Sequence, residues 1–262
     1  MKKLLVTFTF FLGLAACKQV PLTGRKSLVL VPETTMQSLA TSQYRSFISQ
    51  NQVVKNTPDA QMLSRVGSRL SKSVIDYMKS KNLSSQLNGY TWEFNLINSP
   101  ELNAWCMPGG KIVVYTGLLP VTANEAGLAA VIGHEIAHAV ARHGSERMTQ
   151  GLIAQGISIG GQVALNDNPR ANQIFQQSFG IGGNLGILAF SRKHENEADK
   201  MGMIFMAMAG YDPKEAIEVW KRMASKSGPK PPEILSTHPS DQTRIKNLQE
   251  ALKTAQVFYR PQ

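Results

Sequence analysis

Two histidines four residues apart, the first followed at once by a glutamate, make His134-Glu135-Ile136-Ala137-His138 the stretch of this sequence best suited to chemistry. In an α-helix, positions i and i+4 fall ~40° apart on one face, so His134 and His138 can offer two imidazole nitrogens to a single metal ion. Glu135 borders that face without sharing its stripe, so it can reach a water beside the metal without binding the metal itself. The pattern supplies two ligands and a general base for a zinc ion, which lowers the pKa of water towards neutrality. A solvated helix face can carry the same five residues by chance. Here, however, Leu128–Ile132, Ile136, Ala137, Ala139, Val140 and Ala141 make the helix apolar nearly all round, which predicts burial. Buried polar side chains need partners, and a metal would satisfy all three. Thr122-Ala-Asn-Glu125, just after Pro120, reads as a capping box that starts the helix.

Two histidines leave a zinc site open, so a third ligand decides its class. Ala141 and Gly144 stand where a metzincin needs glycine and histidine, which excludes that pattern. His143, ~140° round a continuous helix from His138, cannot share its metal and reads as a residue behind the ligands or on the surface. The remaining option is a glutamate on a second helix. Glu195 and Asp199 share a face at i and i+4, with Glu195 suited to the metal and Asp199 to the free N–H of a ligand histidine. Glu197 points away. Without His134 and His138 upstream, the three acidic residues would equally describe a solvated face.

The elements that must position these groups follow from periodicity. Residues 34–50 and 59–81 read as helices, the second with Asp59 as N-cap and an apolar stripe of Met62, Leu63, Val66, Leu70, Val74 and Met78. From Tyr90 the period becomes two, and Tyr90–Ile97 predicts a half-buried strand. Ala104–Thr116 reads as two short strands joined by Pro108-Gly109-Gly110. This places a small antiparallel sheet just before the histidine helix. One of its edge strands could hold an extended peptide, or the sheet could simply cover the helix. Gly151–Leu165 and Phe179–Phe190, rich in glycine and nearly uncharged, suggest packed or mobile segments beside the site. The glutamate helix runs on to Gly210, a further helix starts at Asp212-Pro213, Ser225–Pro232 reads as a linker, and a last helix covers about residues 241–256.

The 262 residues, 42% hydrophobic and 18% charged, suit one domain over residues 34–262. Residues 1–16 are set apart: Lys2-Lys3, the apolar Leu4–Leu12 and Leu14-Ala-Ala-Cys17 have the layout of a signal peptide. The apolar stretch is too short to span a membrane, which takes ~20 residues. Leu-Ala-Ala-Cys resembles a bacterial lipobox, implying cleavage before Cys17 and a lipid on its thiol, with residues 17–33 as a tether. An ordinary secretory signal is the alternative. With Cys17 lipidated, Cys106 is left as a lone buried thiol. The formal charge is +10; without Lys2 and Lys3, 26 basic against 18 acidic residues leave +8. Such a surface suits anionic headgroups or acidic substrates. No basic run of five or more residues occurs, and nucleic acid is not an expected partner.

Four motifs in order resemble the gluzincin peptidase family M48: Asn103-Ala with Pro108–Leu119, the HEIAH pentapeptide, Glu195-Asn-Glu-Ala-Asp199, and Ser236-Thr-His-Pro239 with Arg244. The resemblance spans about residues 35–255. It implies one Zn2+ per chain held by His134, His138 and Glu195, with Glu135 as base and Asp199 behind the ligands. It further implies that His238 lies near the metal, assisting the tetrahedral intermediate or capping the zinc in a latent state, and that Arg244 positions His238 or the oxyanion. The fold expected is α+β and mostly helical, the HExxH helix and the second Glu-bearing helix packing zincin-like with the small antiparallel sheet. The family includes prenyl-protein, bacterial heat-shock and mitochondrial proteases; lacking spanning helices, this chain is closer to the soluble bacterial lipoprotein branch. The activity implied is endopeptidase cleavage of misfolded or misassembled envelope proteins. The protein would be anchored by Cys17, with Lys18 compatible with the outer membrane, facing the periplasm. The rival is a zinc-bound chaperone or factor of the envelope assembly machinery, its site closed by His238.

Overall fold

A computed structural model describes residues 17–156, 168–179, 190–226, 238 and 242–261. The chain opens with β1 (Cys17–Gln19) and β2 (Lys26–Leu28), an antiparallel pair, then α1 (Glu33–Gln50), β3 (Val53–Val54) and α2 (Pro58–Ser80). Next come β4 (Glu93–Ile97), β5 (Ala104–Met107), β6 (Lys111–Tyr115) and the one-turn α3 (Leu119–Thr122). Among the described residues six helices follow: α4 (Glu125–Val140), α5 (His143–Ala154), α6 (Pro169–Phe179), α7 (Arg192–Met208), α8 (Lys214–Ser225) and α9 (Gln242–Ala255). The α+β, mostly helical class is as expected.

The main sheet has the order β3-β4-β6-β5 and is mixed, not antiparallel. β5 and β6 form the expected hairpin, Met107 facing Lys111 across a turn in which Gly109 and Gly110 take φ of 82° and 81°, values that glycine adopts without steric cost. The chain then lays β6 between β4 and β5, so β4 and β6 run parallel from Glu93 and Lys111 onward. Strand alternation divides the core between two faces. Leu96, Ala104, Cys106, Ile112 and Val114 pack towards α2, α4 and α7. Ile97, Trp105, Met107, Val113 and Tyr115 pack towards α1, α5 and α6.

Two helix starts differ from expectation because a residue two positions away makes the cap. Asn124, not Thr122, caps α4 by accepting the Gly127 N–H at 2.8 Å. Thr57, not Asp59, caps α2 through the Ala60 N–H. Residues 17–33 are not a free tether: β1 and β2 pair, Val20, Ser27, Val29 and Val31 are buried, and the Leu30 N–H donates to Thr149 on α5. The segments 1–16, 157–167, 180–189 and 227–237 lie outside the described residues. With them go the signal peptide, most of the glycine-rich stretches and the linker.

α4 and α7 pack along their lengths because each supplies a glycine at the crossing. A Cβ on Gly133 would stand 2.9 Å from the Gly202 carbonyl oxygen, and one on Gly202 would stand 2.8 Å from the His134 nitrogen. Backbone therefore meets backbone at the step from Gly133 to His134. Among the described residues, no helix is long and apolar enough to cross a membrane.

Candidate metal centre

Every residue of α4 from Gly127 to Val140 is buried, so His134, Glu135 and His138 are held by a helix with no face in solvent. Opposite them, Ser191 caps α7 through the His194 N–H, starting the helix so that Glu195 and Asp199 face α4. The close crossing at Gly133 and Gly202 closes the gap. His134 Nε2 and His138 Nε2 lie 3.0 Å apart, and the Glu195 carboxylate is 3.4 Å from the first and 3.3 Å from the second. His238 adds its Nδ1, 3.2 Å from His134 Nε2 and 3.0 Å from Glu195 Oε1. The donor atoms of all four residues lie within 4.8 Å of one another.

Zinc fits this donor set. Four nitrogen or oxygen ligands at ~2.0–2.1 Å from a tetrahedral ion stand roughly 3.3 Å apart, and among His134, His138 and Glu195 the separations are 3.0–3.4 Å. The charges agree as well. Burial alone would depress the His134 imidazole, yet Asp199 and Glu195 beside it hold its pKa at about 9, so the pocket attracts positive charge. Burial likewise works against the Glu195 carboxylate, but His238 and Arg244, with hydrogen bonds from both ligand histidines, hold it well below the usual range. His138 is pushed down, first by burial, leaving a neutral ring with a free lone pair.

Asp199 lies behind His134, its Oδ1 2.9 Å from Nδ1, as the i, i+4 spacing suggested. Arg244 on α9 grips Asp199 with both ends of its fork, Nε to Oδ2 at 2.9 Å and NH2 to Oδ1 at 2.8 Å. Its NH1 lies 2.8 Å from Glu195 Oε2 and its guanidinium stacks 3.3 Å from the Trp220 ring centroid. Arg244 also approaches the His238 carbonyl at 3.5 Å. Of the two roles the resemblance offered it, this geometry serves positioning; an oxyanion donor would have to turn away from both carboxylates.

Glu135 is 3% exposed, and among the described residues its Oε1 has no hydrogen-bond donor; His238 Nε2 stands 3.5 Å from it. Burial raises its pKa, with His238 and His134 opposing that rise. The carboxylate opens on a cavity of about 10 Å³ lined by Asn103 to Cys106, His138, Gly144, Phe179, Phe190 and His238. That is room for about one water. The edge of the wall is β5, whose outer side is not taken by another strand among the described residues. Cys106 is buried there, its thiol raised well above its ordinary value by burial, as expected of an inert thiol.

His143 lies behind the ligands, one of the two places expected for it, but gets there by a break in the helix that the sequence did not show. A continuous helix would carry it to the far side of α4, but Arg142 takes a left-handed conformation, φ 60° and ψ 33°, and α5 starts in a new direction. His143 is thereby fully buried, with its Nδ1 3.0 Å from His138 Nδ1. Burial pushes its pKa down to about 4. Glu197 does point away from the metal cluster, yet it is buried and bonded to His143 Nε2 at 2.8 Å rather than solvated. Phe190, tilted 4.0 Å from His138, had no signal in the sequence; His194, stacked 4.4 Å from His143, could have been noticed beside Glu195. Only the backbone of Cys17 is described, in β1.

The model of peptidase family M48 matches residues 65–252 of the chain. A mitochondrial metalloendopeptidase OMA1 of Arabidopsis thaliana is 39% identical over 188 residues, 70% of this chain and 36% of that protein. The OMA1 metalloendopeptidase of Saccharomyces cerevisiae is 31% identical over 252 residues, covering 92% of this chain and 70% of the yeast protein. A β-barrel assembly-enhancing protease of Escherichia coli K12 is 29% identical over 160 residues, 59% of this chain and 33% of that protein. The chain thus spans only about a third of the Arabidopsis and E. coli proteins.

Proposed function

The chain belongs to peptidase family M48, and from that premise we propose that it is a zinc-dependent endopeptidase of the bacterial cell envelope. One observation carries the reading: four buried nitrogen and oxygen donors converge within 4.8 Å, with a Glu135 oxygen that has no partner among the described residues beside them. His134, His138 and Glu195 would hold the ion. Bound there, zinc supplies a Lewis acid that polarises a carbonyl and makes a water nucleophilic near neutral pH. Glu135 takes a proton from that water and delivers it to the leaving amine, and the burial that raises its pKa suits it to both transfers. The outer edge of β5 holds the substrate backbone by strand addition, without reading its sequence. His238, with Nε2 towards Glu135, can donate to the developing oxyanion. Asp199 and Arg244 keep the ligands oriented.

In this reading Cys17 carries a lipid, the protein faces the periplasm from the outer membrane, and its substrates are misfolded or misassembled envelope proteins. The E. coli relative named for β-barrel assembly supports that setting. A second reading is favoured by His238 itself: its Nδ1 lies 3.2 Å from His134 Nε2 and 3.0 Å from Glu195 Oε1, so it can close the site as a fourth ligand. The protein would then act mainly as a zinc-bound assembly factor. Casein degradation by the zinc-loaded protein, Glu135→Gln and His238→Ala separates these. The endopeptidase reading expects cleavage lost in Glu135→Gln, and it is refuted if that variant cleaves as fast as the unaltered protein. A gain in His238→Ala supports the latent site.

A further inference from the structure

Each ligand histidine of α4 turns its second nitrogen outward, and the two are backed differently. Behind His134 stands Asp199, clamped by Arg244. Behind His138 the chain of contacts is longer and leaves the helical domain. His143 Nδ1 meets His138 Nδ1 at 3.0 Å, His143 Nε2 meets Glu197 Oε2 at 2.8 Å, and Glu197 accepts from Arg25 Nε at 2.6 Å and from the Thr23 hydroxyl. The proton positions follow from the acceptor at the end. A carboxylate only accepts, so His143 Nε2 carries the hydrogen; Nδ1 of the neutral ring is then the acceptor, and His138 must donate from its own Nδ1. That tautomer leaves the lone pair of His138 Nε2 directed at Glu195 and His134, where a metal binds.

The geometry points to Thr23 and Arg25 as positioning residues for the metal centre: by holding Glu197, they fix through His143 the tautomer and orientation of the ligand His138. The inference rests on the metal-site reading above. Two observations separate it from mere charge neutralisation. Arg25 is placed by its own turn between β1 and β2, where Val20 N–H to Arg25 carbonyl and Gly24 N–H to Val20 carbonyl bonds of 2.8 and 2.9 Å lock the loop. Its fork also divides its work, Nε going to Glu197 while NH1 and NH2 grip Glu146 at 3.1 and 3.0 Å. Arg25 lies outside residues 65–252, the part matched by the family model.

The test is zinc affinity of the full chain, measured by competition with a chromophoric chelator, together with the visible spectrum of the cobalt-substituted protein and the melting temperature without metal. Glu197→Gln should raise the zinc dissociation constant about 10- to 100-fold, the usual effect of losing a partner behind a ligand histidine. Arg25→Lys keeps the charge but loses the fork, and should weaken zinc about tenfold and shift the cobalt bands. Thr23→Val, the mildest change, should act in the same direction and guards against misfolding of the others. In a Glu197→Gln background, Arg25→Lys should no longer affect zinc, although it still lowers the melting temperature through Glu146. If these variants melt earlier but bind zinc and give the cobalt spectrum of the unaltered protein, the inference is overturned and Arg25 is only structural. If the unaltered chain binds no zinc, the metal-centre reading itself falls, and this inference with it.

Discussion

Replacing Gly202 by alanine should weaken the metal centre without touching a ligand. An alanine Cβ there would lie 2.8 Å from the His134 nitrogen and 2.9 Å from the Gly133 carbonyl carbon and the His134 Cα. All three are backbone atoms of a buried helix, with no rotamer to yield. Ordinary carbon contacts begin about half an ångström further out, so α4 and α7 must separate by about that much. Zinc distances tolerate only ~0.2 Å, so the Glu195 edge, now 3.3–3.4 Å from both imidazoles, opens too far to serve all three ligands. We expect at least a roughly tenfold loss of zinc affinity, typical of disturbed support around a metal. Stability balances two effects: mid-helix alanine gains about 1 kcal/mol over glycine, and overpacking a full core costs about 1–3 kcal/mol. The net is a loss of about 1 kcal/mol, a fall of roughly 2–4 °C in Tm for a chain of this size. Calorimetry of the metal-free protein and chelator competition read the two separately. A variant that melts higher and binds zinc unchanged would refute the claim that this glycine pair sets the distance between the ligand helices.

Asp199→Asn should weaken zinc about 10- to 100-fold while Glu135 stays in place, measured by the same competition; unaltered affinity would deny Asp199 its role behind His134. Acid should destabilise the protein through Glu146 and Glu197. Burial opposes their ionisation, but bonds from His194 and Arg25 to the first, and from His143, Thr23 and Arg25 to the second, hold both carboxyls at about 2 against 4.5 when unfolded. A pKa lowered on folding contributes its full stability above the unfolded value and loses it as the pH falls towards the folded one. Tm should therefore drop from pH 4.5 towards 2, and the Glu146→Gln, Glu197→Gln double variant should show a flatter profile. Mass spectrometry of the mature N-terminus should find lipid on Cys17, and a free thiol there would remove the proposed anchor.

The parts legible in sequence were those in which local period and chemistry agree. His134 and His138 share a helical face because the helix is unbroken between them, and Glu195 and Asp199 do so for the same reason. Val113 and Tyr115 alternate with Ile112 and Val114 between two cores, which the strand period anticipates. What sequence hid depends on the path of the chain. The parallel pairing of β4 with β6 is a property of topology that no stretch of either strand encodes. The break at Arg142 rests on a positive φ at a residue with no special preference for it, so the way His143 comes to lie behind the ligands was hidden. Residues 17–33 carry proline, glycine and short apolar runs suited to a linker as well as to the folded turn that delivers Arg25. The functions of Arg25, Phe190 and Trp220 depend on contacts made across the sequence, where no spacing rule applies.

The central claim is that His134, His138 and Glu195 hold one zinc ion through which Glu135 hydrolyses peptide bonds. It is tested most directly by titrating zinc into chelator-stripped protein and measuring bound metal and casein cleavage in the same samples. Both should rise together and saturate at about one zinc per chain. Cleavage by the stripped protein, or full occupancy with no cleavage even in His238→Ala, would contradict it.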